Sequence, residues 1–209
     1  MNRNARLIAV TAITATTAIA AMTQNTDSTL TTNTGGGPDT IDQMAGLAPG
    51  SPLHTLRHQR DKVAAATQGS YDAMFDAAVE GLTVTERLLV ALHACRLSQA
   101  LELSQHYRSR LVALKVDPAL LATVESVAES SGAAAAVDPR LRAMLVFTHT
   151  LITNPINGDK PALMKLTDAG LTTPAVVALA QLIAFVSYQL RVVAGLKAMQ
   201  ALELEEVST

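Results

Sequence analysis

Residues 82–114 read LTVTERLLVALHACRLSQALELSQHYRSRLVAL, and the fold follows from how this stretch divides. It opens on Thr83-Val84-Thr85-Glu86, a capping box in which the Thr83 side chain takes a backbone N–H and Glu86 reaches back. Behind the box, Leu88, Leu89, Leu92, Cys95 and Leu97 recur at helical spacing and predict one apolar stripe. His93, Gln99, Glu102, Gln105, His106, Arg108 and Arg110 add polar groups along the rest. The only cysteine and two of the five histidines fall here. Chemistry is therefore sought first on this helix or helix pair.

The totals point the same way. A chain of 209 residues holds one ordinary domain, with or without a tail. Apolar residues make up 49% and aromatics 3%, and a sheet protein would need more aromatic and β-branched pairs. An all-α fold of about six or seven helices is expected. The net charge of -2 provides no basic surplus for nucleic acid. A single cysteine excludes an intramolecular disulfide and a Cys-rich metal site.

Outward from the central stretch, the start and stop signals are plain. Ser51-Pro52 predicts a helix to about Gln68, interrupted by Gly69-Ser70, with a short helix from Tyr71 to Val79 after it. Asp117-Pro118 and Asp138-Pro139 each place a capping carboxylate before a proline at the first helical position. They open helices to about Glu129 and Thr153, the second with Leu141, Met144, Leu145, Thr148 and Ile152 on one face. A short helix, Pro161 to Ala169, closes on Gly170. Thr173-Pro174 starts the longest helix, uncharged from Pro174 to Leu190 and apolar nearly all round. Its length approaches a membrane span. Burial along a subunit interface is the expected alternative, with no membrane span and with a homo-oligomer as the assembly.

The N-terminus has the outline of a signal peptide: Arg3 and Arg6, then LIAVTAITATTAIAAM with Ala18-Ile19-Ala20 in small-x-small form. Threonines dilute its hydrophobicity, so a cytoplasmic location is expected, with export as the alternative. Residues 1–38 are expected to be a targeting, extension or disordered segment, 39–204 the helical domain and 205–209 a tail. His54 and His58 stand four apart, a spacing compatible with metal. Arg57, Arg60 and Lys62 surround them and Asp61 is the one acid nearby, so a solvated basic face and no metal are expected.

In this order the segments TERLLVAL (85–92), DPRLRAML (138–145), LITNP (151–155), DAGLT (168–172) and VVALAQLIAFVSYQLRVVAGL (176–196) resemble the carboxymuconolactone decarboxylase/alkyl hydroperoxidase D-like superfamily. The segments IDQMAGLAPGSPLHTLR (41–57) and SYDAMFDAA (70–78) look like its CMD domain subgroup. The resemblance implies a homotrimer or dimer of trimers, no cofactor, and peroxidase-type oxidoreductase chemistry toward a small hydroperoxide. Peroxidases of the family use a glutamate followed by Cys-x-x-Cys-x-x-x-His, the thiolate attacking peroxide and the second cysteine resolving it. Counted back from His106, the cysteine positions fall on Gln99 and Glu102, so the dithiol is missing. Counted from Glu86 instead, the first cysteine position falls on Ser98, so Cys95 fits neither register and reads as a small core residue.

What carries over from the resemblance is Glu86 and His106, the histidine as proton-transfer group and the glutamate as its orienter. They stand twenty residues apart, too far to touch along a straight helix of about 30 Å at ~1.5 Å per residue. They can meet only where the chain bends near Leu97 to Gln99, or across a subunit boundary. Gln99, Glu102 and His149 are the further candidate pocket groups. Two other readings stand beside the peroxidase. One is a cysteine-independent decarboxylase-like enzyme acting on an organic acid, with His as proton donor and Arg87, Arg96 or Arg191 at hand for the acid. The other is a non-catalytic, oligomeric ligand-binding protein on the same fold.

Overall fold

The structure is a computed structural model that describes residues 39–127 and 137–207. Nine α-helices and one 3₁₀ turn are present among the described residues: α1 Thr40–Ala45, α2 Pro52–His58, α3 Asp61–Met74, α4 Val84–Leu97, α5 Leu101–Ala113, α6 Pro118–Val127, α7 Pro139–Thr153, α8 Lys160–Asp168 and α9 Thr173–Val207, with the 3₁₀ turn at Pro155–Asn157. No strand occurs among the described residues. The all-α expectation holds, and the helix count exceeds it because the central stretch divides into two helices and α1 is added. The N-terminal segment read as a signal or extension lies outside the described residues.

The stretch 82–114 forms α4 and α5, and α4 is the centre of the molecule. The capping box is present in full, with Thr83 Oγ1 accepting from the Glu86 N–H at 3.1 Å and Glu86 Oε2 from the Thr83 N–H at 2.7 Å. Helices α5, α6, α7 and α9 all pack on α4. Its residues Arg87 to Cys95 are consequently buried on every side, rather than along the single stripe the spacing predicted. On α9, Ala175, Leu179, Leu182, Ile183, Val186, Gln189 and Val193 face the core at helical spacing, while Val177, Tyr188, Met199 and Leu202 are exposed.

Three boundaries differ from the sequence signals. The break falls at Arg60 (φ −110°, ψ 62°), and α3 runs straight through Gly69-Ser70. Burial of Tyr71 two residues further on offsets the roughly 1 kcal/mol that a helical glycine costs. Helix α3 stops at Met74, well before Gly81, because Arg87 turns its guanidinium onto the carbonyls of Met74 and Asp76, both at 2.8 Å. The last helix, α9, continues to Val207.

Candidate functional site

The bend between α4 and α5 decides which polar groups converge. At the end of α4 the Gln99 N–H bonds the Arg96 carbonyl (3.0 Å) and the Ala100 N–H bonds the Cys95 carbonyl (3.0 Å), a Schellman closure with Gln99 at φ 56° in the left-handed region. The chain reverses there, as the Glu86/His106 expectation required. The reversal does not join the pair. Glu86 is held by Thr83 and by Arg140, whose Nε donates to Oε1 at 2.8 Å, while Arg140 also donates to the carbonyls of Gly170 (3.0 Å) and Gly81 (2.6 Å). Burial alone would raise the Glu86 pKa. The hydrogen bonds from Arg140 and Thr83 outweigh it and lower it, so this carboxylate is an ionised structural tie.

His106 stands elsewhere, on α5, with a different set of partners. Tyr71 Oη lies 2.6 Å from its Nε2, and Arg110 Nη1 donates to the same Tyr71 oxygen at 2.7 Å. With the guanidinium filling one side of the phenol oxygen, the Tyr71 O–H donates to Nε2, which assigns the histidine proton to Nδ1. Arg110 also packs over the rings of Tyr71 and Phe75, 5.4 and 4.7 Å from their centroids. Burial first, and the Arg110 charge second, bring the His106 pKa down to about 4, so the ring is neutral near pH 7. Burial raises the Tyr71 pKa, against an opposing pull from Arg110.

His106 and Arg110 line an open cavity of about 710 Å³, bounded on α1 by Gln43 to Gly46, on α5 also by Glu102 and Ser109, and on α9 by Lys197. A second cavity, of about 430 Å³, is lined by Ser98, Gln99, Leu103, Ile152, Ser187 and Arg191. Glu102 and Lys197 line both, and they form an ion pair with each other that lowers the Glu102 pKa. Of the sequence candidates, the structure therefore gathers His106, Glu102 and Gln99 around this ion pair. Glu86 is not among them. His149 is exposed on α7, and its electrostatic partner is the buried His93.

Cys95 is fully buried on α4, and burial pushes its thiol pKa up. Its neighbour in the core is Tyr107, whose hydroxyl donates to Gln189 Oε1 at 2.5 Å. Of the arginines offered as anchors for an acid, Arg87 is buried and bound to backbone carbonyls. Arg191 does reach a cavity wall. The groups that sequence reasoning missed are Tyr71, Arg110 and Lys197. Arg110 had a signal, standing four residues after His106 and so on the same helix face. Lys197 had none, since its partner Glu102 is 95 residues away.

His54 and His58 do not form a solvated basic face. Their shared partner is Asp42, 8% exposed on α1, and not Asp61, whose carboxylate accepts from the Lys62 N–H at 2.7 Å. His58 Nε2 lies 2.7 Å and His54 Nε2 3.7 Å from Asp42 Oδ2. The helix that carries the histidines turns them inward because Leu53, beside them, anchors α2 in the core.

No family model matches the chain, and no curated protein matches it in sequence. Among solved structures it is similar to that of the debrominase Bmp8, a cysteine-to-alanine variant in complex with 2,3,4-tribromopyrrole. The likeness is one of fold. Identity is 18%, the TM-score is 0.57, and the match covers 75% of this chain and 79% of that chain.

Proposed function

We propose that this chain is a cysteine-independent enzyme of the carboxymuconolactone decarboxylase/alkyl hydroperoxidase D-like superfamily, acting on a small organic acid in the cavity beside His106. The order of the sequence segments, the all-helical fold and the likeness to a debrominase structure support the superfamily. One observation carries the chemistry: Tyr71 sits between His106 and Arg110, 2.6 and 2.7 Å from each, with His106 and Arg110 on the cavity wall. Loss of carbon dioxide from an organic acid leaves an enolate that must be protonated. A neutral His106, which lines the cavity, carries its proton on Nδ1, and Tyr71 can resupply that proton through Nε2. Arg110 uses one nitrogen on Tyr71, leaving donors for a carboxylate.

Peroxidase chemistry of the family type would need an accessible thiolate, and Cys95 is closed off with a raised pKa. The two readings separate in one experiment. Purified protein is incubated with a panel of β-keto and lactone carboxylic acids, with carbon dioxide release as readout, and in parallel with an organic hydroperoxide and dithiothreitol. Turnover of an acid that His106→Gln lowers by about 10²-fold or more is the expected result. Hydroperoxide turnover abolished by Cys95→Ser would replace this proposal with thiol chemistry. Acid turnover indifferent to His106→Gln would remove the proton-transfer role.

A further inference from the structure

We infer that Asp42, His54 and His58 form a binding site for one divalent metal ion of the zinc type. Three ligand atoms from two helices already converge: Asp42 Oδ2, His54 Nε2 and His58 Nε2 all lie within 4.8 Å of one another. In a tetrahedral zinc site with bonds near 2 Å, donor atoms stand ~3.3 Å apart. The present separations from Asp42 Oδ2, 2.7 and 3.7 Å, straddle that value. The two histidines share one face of α2 at i and i+4, with ring centroids 4.4 Å apart, which is helical spacing compatible with two ligands of one ion. Imidazole nitrogen with one carboxylate is a donor set suited to zinc, and the partial exposure of both histidines leaves a side open for water as fourth ligand.

The neighbouring charges allow it. Arg57 Nη1 donates to Asp42 Oδ1 at 2.8 Å, the carboxylate oxygen away from the histidines, and Nη2 reaches Asp39 Oδ2 at 3.1 Å. It thereby fixes the carboxylate in the manner of an outer-shell partner. Arg57 Nη1 also lies 3.2 Å from His58 Nε2, a contact the ion would displace. His54 Nδ1 accepts from the Gly50 N–H at 3.3 Å, and ligation through Nε2 would turn that nitrogen to a donor and release the contact. With neutral imidazoles, Asp39, Asp42 and Arg57 together leave one net negative charge for the cation. Asp42 directly precedes Gln43 to Gly46, the α1 wall of the larger cavity, so an ion here ties that wall to α2.

The inference stands apart from the reaction proposed above, and its test needs no substrate. Untagged full-length protein is titrated with zinc by calorimetry and with cobalt by visible spectroscopy. One saturable ion per chain is expected, with a cobalt spectrum of tetrahedral type. Asp42→Asn and His54→Ala should each weaken binding about tenfold or more, a loss at least as large as that from outer-shell changes. His149→Ala should leave it unchanged. Zinc should raise the melting temperature of the wild type and not of His54→Ala, whose partly exposed side chain can be removed without opening the core. Absence of saturable binding at millimolar metal, or binding indifferent to Asp42→Asn in a folded variant, would overturn the site.

Discussion

His93 shows what a single residue can cost inside this core. It is fully buried on α4, and neither ring nitrogen makes a hydrogen bond of good geometry, the backbone carbonyls of Val124 and Leu145 lying near enough to act on the ring but not to satisfy it. Burial brings its pKa down to about 4, and His149 adds to the effect, while the nearby backbone carbonyls of Val124 and Leu145 oppose it. His106 is displaced to about 4 as well. Both folded-state values lie below the unfolded value of about 6.5, so between those limits the unfolded chain binds protons that the folded chain does not. Stability should hold above pH 6.5 and fall as the pH drops from there toward 4, with His93 contributing on the order of 3 kcal/mol by pH 4. Urea midpoints across pH 4–8 measure this. Replacing the unpartnered ring by a hydrocarbon, His93→Leu, should leave stability at pH 7 unchanged or raise it by roughly 1 kcal/mol, and should flatten the acid fall. A loss above 1 kcal/mol at pH 7 would mean that the ring is hydrogen-bonded after all.

Among the elements, the joints carry the specificity. Arg140 at the start of α7 binds Glu86 at the start of α4 and the carbonyls of Gly81 and Gly170, drawing together three chain segments. Arg140→Ala should lower stability by about 1–2 kcal/mol, since charged hydrogen bonds of partly exposed groups are lost, and the urea midpoint reads it. Ligand affinity in the His106 cavity should not change, because Glu86 touches nothing there. At the α4–α5 joint, Gln99 at φ 56° pays the cost of a left-handed residue bearing a Cβ. Gln99→Gly should therefore raise stability by up to ~1 kcal/mol in the same measurement. These joints also mark how far the sequence could be read. Helix starts were legible because Thr83, Asp138 and Ser51 cap through local bonds within three residues. The ends of α2 and α3 were not, since Arg87 stops α3 from 13 residues away. The candidate site was legible in part for the same reason. His106, Glu102 and Gln99 lie on the α4–α5 pair, whereas Tyr71 and Lys197 arrive through contacts 35 and 95 residues apart.

For the whole molecule, the outer face of α9 is the unfinished surface. Among the described residues this helix alone is long and apolar enough to cross a membrane, yet one face of it is packed into the core through Leu179, Leu182, Ile183, Val186 and Val193. Its other face leaves Tyr188, Met199 and Leu202 exposed, and Leu56 of α2 and Val63 of α3 are exposed across a shallow cavity of about 210 Å³ beside Tyr188 and Met199. Apolar side chains gathered in this way on three neighbouring elements are what a subunit interface requires, with a polar rim to limit aggregation. Beneath this patch the buried Thr67 hydroxyl lies 3.3 Å from that of Tyr188. We therefore expect a homo-oligomer closed through α9, of the trimeric kind that the sequence resemblance implies. A cyclic contact repeats each side chain in every subunit, so one charge introduced here acts several times over. Met199→Asp should dissociate the assembly while leaving the helical content of each subunit intact, because the side chain is 44% exposed and the core does not depend on it. Light scattering at micromolar concentration measures both forms. A wild-type protein that is monomeric under those conditions would remove the interface, and an assembly indifferent to Met199→Asp would move it to another face.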